Sequence, residues 1–99
     1  MAMLIKAGVD ISRLNRDIRR ALPILNAYAL NHKEELIITS TYDGNHSAGS
    51  LHYGNDAIDM RYLKSIDLKK QVAAIKVLVG KDYDVIAEGN HIHIEYDPQ

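Results

Sequence analysis

Four of the five histidines fall in two short stretches, His46 and His52 in segment 42–55 and His91 and His93 in segment 91–96, leaving only His32 elsewhere. Cysteine is absent, so any metal must be held by imidazole nitrogen and carboxylate oxygen, the ligands that zinc accepts when thiolates are missing. A catalytic zinc site keeps three protein ligands and leaves a fourth position to water. His52, Asp59 and His93 could supply such a set. On residue types alone the alternative stays open, because an isolated histidine is commonly a surface or hydrogen-bonded structural residue.

These side chains must be positioned by the surrounding elements. Tyr83-Asp84-Val85-Ile86-Ala87-Glu88 and His91-Ile92-His93-Ile94-Glu95-Tyr96 are strand-like runs separated by Gly89-Asn90. A two-residue primed turn needs positive φ, which glycine supplies, so the segment reads as a tight hairpin. Residues flanking such a turn pair across it, so Glu88 is expected to face His91, and Ile86 to face His93. Glu88, His91 and His93 then share one sheet face, while Ala87, Ile92 and Ile94 point to the other. Residues 56–62 alternate small or apolar with polar types and read as another strand, carrying Asp59. Residues 34–41, with their β-branched run, read as a third. Segment 42–55 is dense in Gly, Ser, Asn and His without periodicity, and reads as a long functional loop.

Apolar residues at Leu14, Ile18, Leu22, Leu25 and Ala29 form one helical stripe, with Asp10 or Ser12 as candidate cap. Pro23 lies inside it and predicts a kink or two abutting helices. A second stripe, Leu68, Val72, Ile75 and Val79, follows Ser65 or Asp67 as cap and ends at Gly80. The expected fold is α+β: an antiparallel sheet of about four strands, helices on one face, and a polar groove on the other.

At 99 residues the chain accommodates a single domain, residues 1–99. Its 46% hydrophobic and 25% charged content is that of a folded globular protein, which argues against disorder and low complexity. A net charge of −1 supplies no basic field to gather phosphates, so nucleic acid and anionic membranes are not expected partners. No run approaches a membrane span or a signal-peptide apolar core, so a cytoplasmic product is expected, acting at the cell wall only if released by another route. The oligomeric state is left open.

The segment Ser50-Leu51-His52-Tyr53-Gly54-Asn55-Asp56-Ala57-Ile58-Asp59 resembles the S-x-H-x-x-G-x-A-x-D motif of the zinc D-Ala-D-Ala carboxypeptidases and dipeptidases, and His91-Ile92-His93 resembles their closing H-x-H. The signalling domain of hedgehog proteins has the same pairing, including the S-L-H-Y opening. The resemblance covers roughly residues 36–96 and is greatest to short phage-encoded members. It implies a zinc metallopeptidase acting on a peptide bond of bacterial murein, with His52, Asp59 and His93 as zinc ligands and Glu88 as general base. Zinc so held lowers the pKa of water from ~15.7 toward ~7. A second implication, through the hedgehog likeness, is a zinc-stabilised binding module that hydrolyses nothing.

The remaining polar residues take roles within that frame. His91 shares the face of His93 and could donate to a developing oxyanion, or orient a ligand. His46, six residues before His52 as in hedgehog-like members, could gate or bind substrate, or lie in solvent. Tyr42, Tyr53 and Tyr96 could line the groove or pack. Arg61 follows Asp59 by two, on the same strand face, and could hold a substrate carboxylate or pair with a neighbouring acid. Asp56, Asp84, Glu95 and Asp97 are expected as solvated charges or strand-end pairs. Two departures from the family pattern stand out. Asn55 replaces the motif glycine, with Gly54 one step earlier, and residues 36–51 lack the arginine with which such carboxypeptidases usually hold the substrate carboxylate.

Overall fold

The Gly89-Asn90 turn joins two six-residue strands and fixes the register of the sheet around them. A computed structural model of the chain describes residues 3–41 and 56–98. In chain order the elements are β1 (Leu4–Ile5), α1 (Arg16–Arg19), α2 (Ala21–Asn31), β2 (Ile37–Ser40), β3 (Ala57–Arg61), α3 (Leu68–Val79), β4 (Tyr83–Glu88) and β5 (His91–Tyr96). The fold is α+β. Gly89 has φ 51°, the left-handed value that the hairpin needs and that glycine adopts without strain.

The sheet order is β1-β2-β3-β5-β4, so five strands are present where about four were expected. The pairs β2–β3, β3–β5 and β5–β4 are antiparallel, as anticipated, but β1 runs parallel to β2 and makes the sheet mixed. Backbone bonds from Leu4 N–H to Leu36 C=O (2.7 Å) and Lys6 N–H to Ile38 C=O (2.9 Å) hold it. Two residues cannot display a period, which is why the sequence pattern does not announce this strand.

Alternate residues of the strands face the helices. Ile38, Ile58, Met60, Val85, Ile92 and Ile94 are buried in one core with Ile18, Leu22, Leu25 and Ala29 of the first two helices and Ile75 and Val79 of α3. Each such aliphatic side chain contributes about 1.5–3 kcal/mol on burial. The first helical stripe does split in two, but at Arg20 rather than at Pro23. Pro23 sits in the first turn of α2, where its missing N–H would have had no intrahelical partner. Neither Asp10 nor Ser12 caps α1; Asn15 takes that position, and Asp10 instead accepts from the Ser12 N–H at 2.8 Å in the preceding turn. In α3 the Asp67 carboxylate caps the helix by accepting from Lys70 N–H, and Gly80 ends it at φ 98°.

Candidate metal centre

Asp59 of β3 stands directly opposite His93 of β5, and Arg61 opposite His91. Across the hairpin Glu88 faces His91 and Ile86 faces His93, the two pairs expected from the turn. Antiparallel register thus brings two carboxylates and two imidazoles from three adjacent strands to the sheet face opposite the core. Asp59 and His93 are buried there, while His91 is half-buried and Glu88 exposed.

Asp59 lies between the two rings. Its Oδ1 accepts from His93 Nδ1–H at 2.8 Å, and its Oδ2 is 3.6 Å from His91 Nε2. Glu88 Oε1 approaches His91 Nε2 to 3.4 Å and His93 Nδ1 to 4.0 Å. The second nitrogen of His93, Nε2, meets Glu95 Oε1 at 2.5 Å. Burial pulls the His93 pKa down, but hydrogen bonds to the Asp59 and Glu95 carboxylates outweigh it and raise the value to about 9. The cluster therefore favours positive charge at its centre.

Asp59, Glu88 and His91 each offer a ligand atom, all within 4.8 Å of one another, so these three residues could hold a metal ion. Two nitrogen or oxygen donor types, no sulfur, and one half-buried imidazole suit a borderline cation such as zinc. The set anticipated from the resemblance was His52, Asp59 and His93. Asp59 is common to both; His93 adjoins the group through Asp59; His52 lies outside the described residues. His46, Tyr42, Tyr53 and the whole of segment 42–55, to which they belong, lie outside them too.

Other placements follow from strand parity. Tyr96 shares the parity of Ile92 and Ile94, packs against the core and meets Tyr83 edge to face at 5.2 Å, so it is a packing residue and not a groove wall. Asp84 pairs across the hairpin with Glu95, and the hydrogen bond from Asp97 to Asp84, with burial and charge repulsion adding to it, holds Asp97 above the usual carboxylate range. Asp84 and Asp97 pair at the strand ends, and with Glu95 they form a second acidic group whose oxygens lie within 4.8 Å of one another. For Glu95 the expectation is corrected: this carboxylate is a direct partner of His93. Its i, i+2 spacing from His93 was the available signal.

Two further residues escaped sequence reasoning. The Tyr62 hydroxyl donates to the Gly89 carbonyl at 2.6 Å, tying the end of β3 to the turn between Glu88 and His91. A groove of about 250 Å³ beside Asp59 and His91 is also lined by Lys6 and by Arg61, the cross-strand partner of His91. Neither contact has a local sequence signal, since Tyr62 and Gly89, like Lys6 and Arg61, are distant in the chain. No family model and no curated protein matches this chain. Among the described residues no helix is long and apolar enough to cross a membrane.

Proposed function

We propose that the chain is a zinc metallopeptidase that hydrolyses a peptide bond of bacterial murein, D-Ala-D-Ala or a similar stem-peptide bond. The observation that carries this reading is the convergence of Asp59, Glu88, His91 and His93 on one sheet face, from the segments that resemble the peptidase motif pair. In this reading His52, Asp59 and His93 hold the ion. Zinc in such a site supplies Lewis acidity, polarising the scissile carbonyl and easing loss of a proton from water.

The protein's own groups then divide the remaining work. Glu88 is exposed and free of the core, so its carboxylate can accept the proton of the attacking water and pass it to the departing amine. His91, 3.4 Å from Glu88, orients that carboxylate or donates to the oxyanion as the carbonyl is attacked. Glu95 holds the far nitrogen of His93 and so sets the ring orientation. Ligation through a His93 nitrogen requires that nitrogen to give up its proton, which makes ion binding stronger as pH rises. Arg61, and His46 and Tyr42 of the loop, complete the reading as substrate contacts.

One observation favours a second reading. Glu88 is close enough to Asp59 and His91 to be a ligand itself. A carboxylate in the ion's coordination sphere closes the site and leaves a zinc-stabilised binding module without a base. Glu88→Ala separates the two when zinc content and muropeptide masses are measured together. As a base, Glu88 is dispensable for zinc, and its loss lowers hydrolysis by about 10²–10⁴-fold. As a ligand, it takes zinc with it and no muropeptide loses mass even with the wild type. Full zinc occupancy in His93→Ala sinks the proposed ligand set.

A further inference from the structure

The helices that cover the core leave a groove of about 730 Å³ between α2 and α3, across the sheet from Asp59, Glu88, His91 and His93. Ile24, Ala27 and Tyr28 line it from α2, and Ala74, Val77 and Leu78 from α3. The residues that α3 commits to the core are Gln71, Ile75 and Val79, so Val77, 81% exposed, and Leu78, 47% exposed, lie off the stripe that holds the fold together. A surface helix is ordinarily polar on the side away from its core, and here that side is apolar. Charge is segregated with it. Segments 20–33 and 68–81, which contain both helices, carry Arg20, Lys33, Lys69, Lys70, Lys76 and Lys81 and no Asp or Glu, whereas the rest of the chain carries six cations and thirteen acids. A chain of net charge −1 thus presents its apolar groove on a helix pair that bears only positive charge.

Sign and shape select the occupant. A second copy docked through the same groove would set like charge against like, because a two-fold contact presents one patch to itself. The occupant is therefore of opposite sign. Ala27 and Ala74, one from each helix, keep the floor of the groove low enough for another backbone to approach, and Ile24 to Asn31 rises by about 10 Å, the length of two helical turns. A concave trough between two helices suits a cylinder better than a flat bilayer. We infer that the α2–α3 groove docks an amphipathic helix of a partner protein, one whose apolar stripe is flanked by Asp and Glu. The inference is independent of the peptidase reading, and docking there leaves the Asp59 face open.

The test titrates the full chain with a helical peptide of about 14 residues, carrying a leucine stripe at i, i+3, i+4 and i+7 flanked by glutamates, and with the same stripe flanked by lysines. The acidic peptide is expected to bind at least about tenfold more tightly, with NMR shifts centred on Ala27, Tyr28, Ala74 and Val77 and an affinity that falls as salt is raised. Ala27→Gln keeps a good helix former at an exposed position and fills the floor, so it is expected to weaken the acidic peptide by about tenfold with little change in Tm. Lys70→Glu, one turn before Ala74, reverses a charge in the first turn of α3, where an acid suits the helix, and is expected to bring the two peptides within about threefold of each other. Equal binding of the two peptides, no binding of either, or an affinity untouched by Ala27→Gln overturns the docking site. Sedimentation showing a dimer of the chain that Val77→Gln returns to monomer also overturns it, in favour of a second copy. Binding to phosphatidylglycerol vesicles without binding of the acidic peptide overturns it in favour of a lipid surface.

Discussion

The two faces of strands β3 and β5 are built from alternate residues of the same short segments, yet they obey opposite rules. On one face Ile58, Met60, Ile92 and Ile94 are fully buried among aliphatic neighbours. On the other, Asp59 and His93 are almost as buried but are ionisable, and they are hydrogen-bonded to each other, with Glu95 on the far nitrogen of His93. Apolar burial is non-directional and tolerates changes of shape, whereas a buried charge is tolerated only with its partner in place. Packing therefore secures the fold from one side. The opposite side carries a cluster whose members have little reason to be there for stability alone.

The largest effects should come from the core face. Ile58→Ala removes a fully buried side chain and is expected to cost about 2–5 kcal/mol, seen as a fall in Tm of about 10 °C or more. Whatever fraction remains folded should still take up zinc, because Ile58 faces away from Asp59, Glu88, His91 and His93. Asp59→Ala is the mirror case. It removes the carboxylate between the rings, so zinc content should fall to background, and the metal-free Tm falls as well because His93 loses a buried partner. Zinc should raise the wild-type Tm and leave that of Asp59→Ala unmoved, since only a ligand of the native state stabilises it. The same Tm response to zinc in both variants removes the distinction between the faces.

How far the sequence could be read differs between the same two regions. The hairpin was legible because a Gly-Asn pair between two runs sets both turn and register, and the Glu88–His91 and Ile86–His93 pairs follow by counting. Helix α3 was legible from its stripe and caps, but Gln71 was not. It lies buried on that helix because Leu63 and Ile66 fold over it, with Leu63 N–H donating to its Oε1 at 2.9 Å and its Nε2 donating to both carbonyls. That satisfaction comes from a loop, and helical periodicity does not report it. The break between α1 and α2 was misplaced because proline is costly inside a helix and harmless in its first turn, and pattern alone does not locate the turn. Asp59, Glu88, His91 and His93 were legible as residues on one face. Their partners were not legible: Glu95 against His93, and Asp59 shared between two rings, depend on side-chain directions that spacing does not settle.

A smaller effect probes how the polar face is held to its frame. Tyr62 sits between the faces, packed against the core through its ring and bonded to the Gly89 carbonyl through its hydroxyl. Tyr62→Phe keeps the ring and removes that bond, at a cost of about 0.5–1.5 kcal/mol. If the turn must be pinned for Glu88 and His91 to keep their positions, turnover should fall several-fold with zinc content unchanged, and the loss should lie in kcat rather than KM. A change confined to Tm would make Tyr62 a stability residue only.

The smallest expected effect lies outside both faces and calibrates the others. Glu34 clamps the turn after β3: its carboxylate accepts from Lys64 N–H at 2.8 Å, from Ser65 N–H at 2.7 Å and from the Ser65 hydroxyl. Burial pushes its pKa up, but the bonds from Ser65 and Lys64 outweigh it and hold the carboxyl below its ordinary value. A carboxylate whose folded pKa is depressed stabilises above its unfolded pKa, and that stabilisation is lost as pH falls through the folded pKa. Glu34→Gln should therefore lower Tm slightly at neutral pH, by about 4 °C or less, and match the wild type once acid has protonated both states. Because this clamp is remote from the ring cluster, the difference should be the same with zinc and with chelator. A zinc-dependent difference would mean that the frame and the metal face are energetically coupled, and that reading one against the other has to start from that coupling.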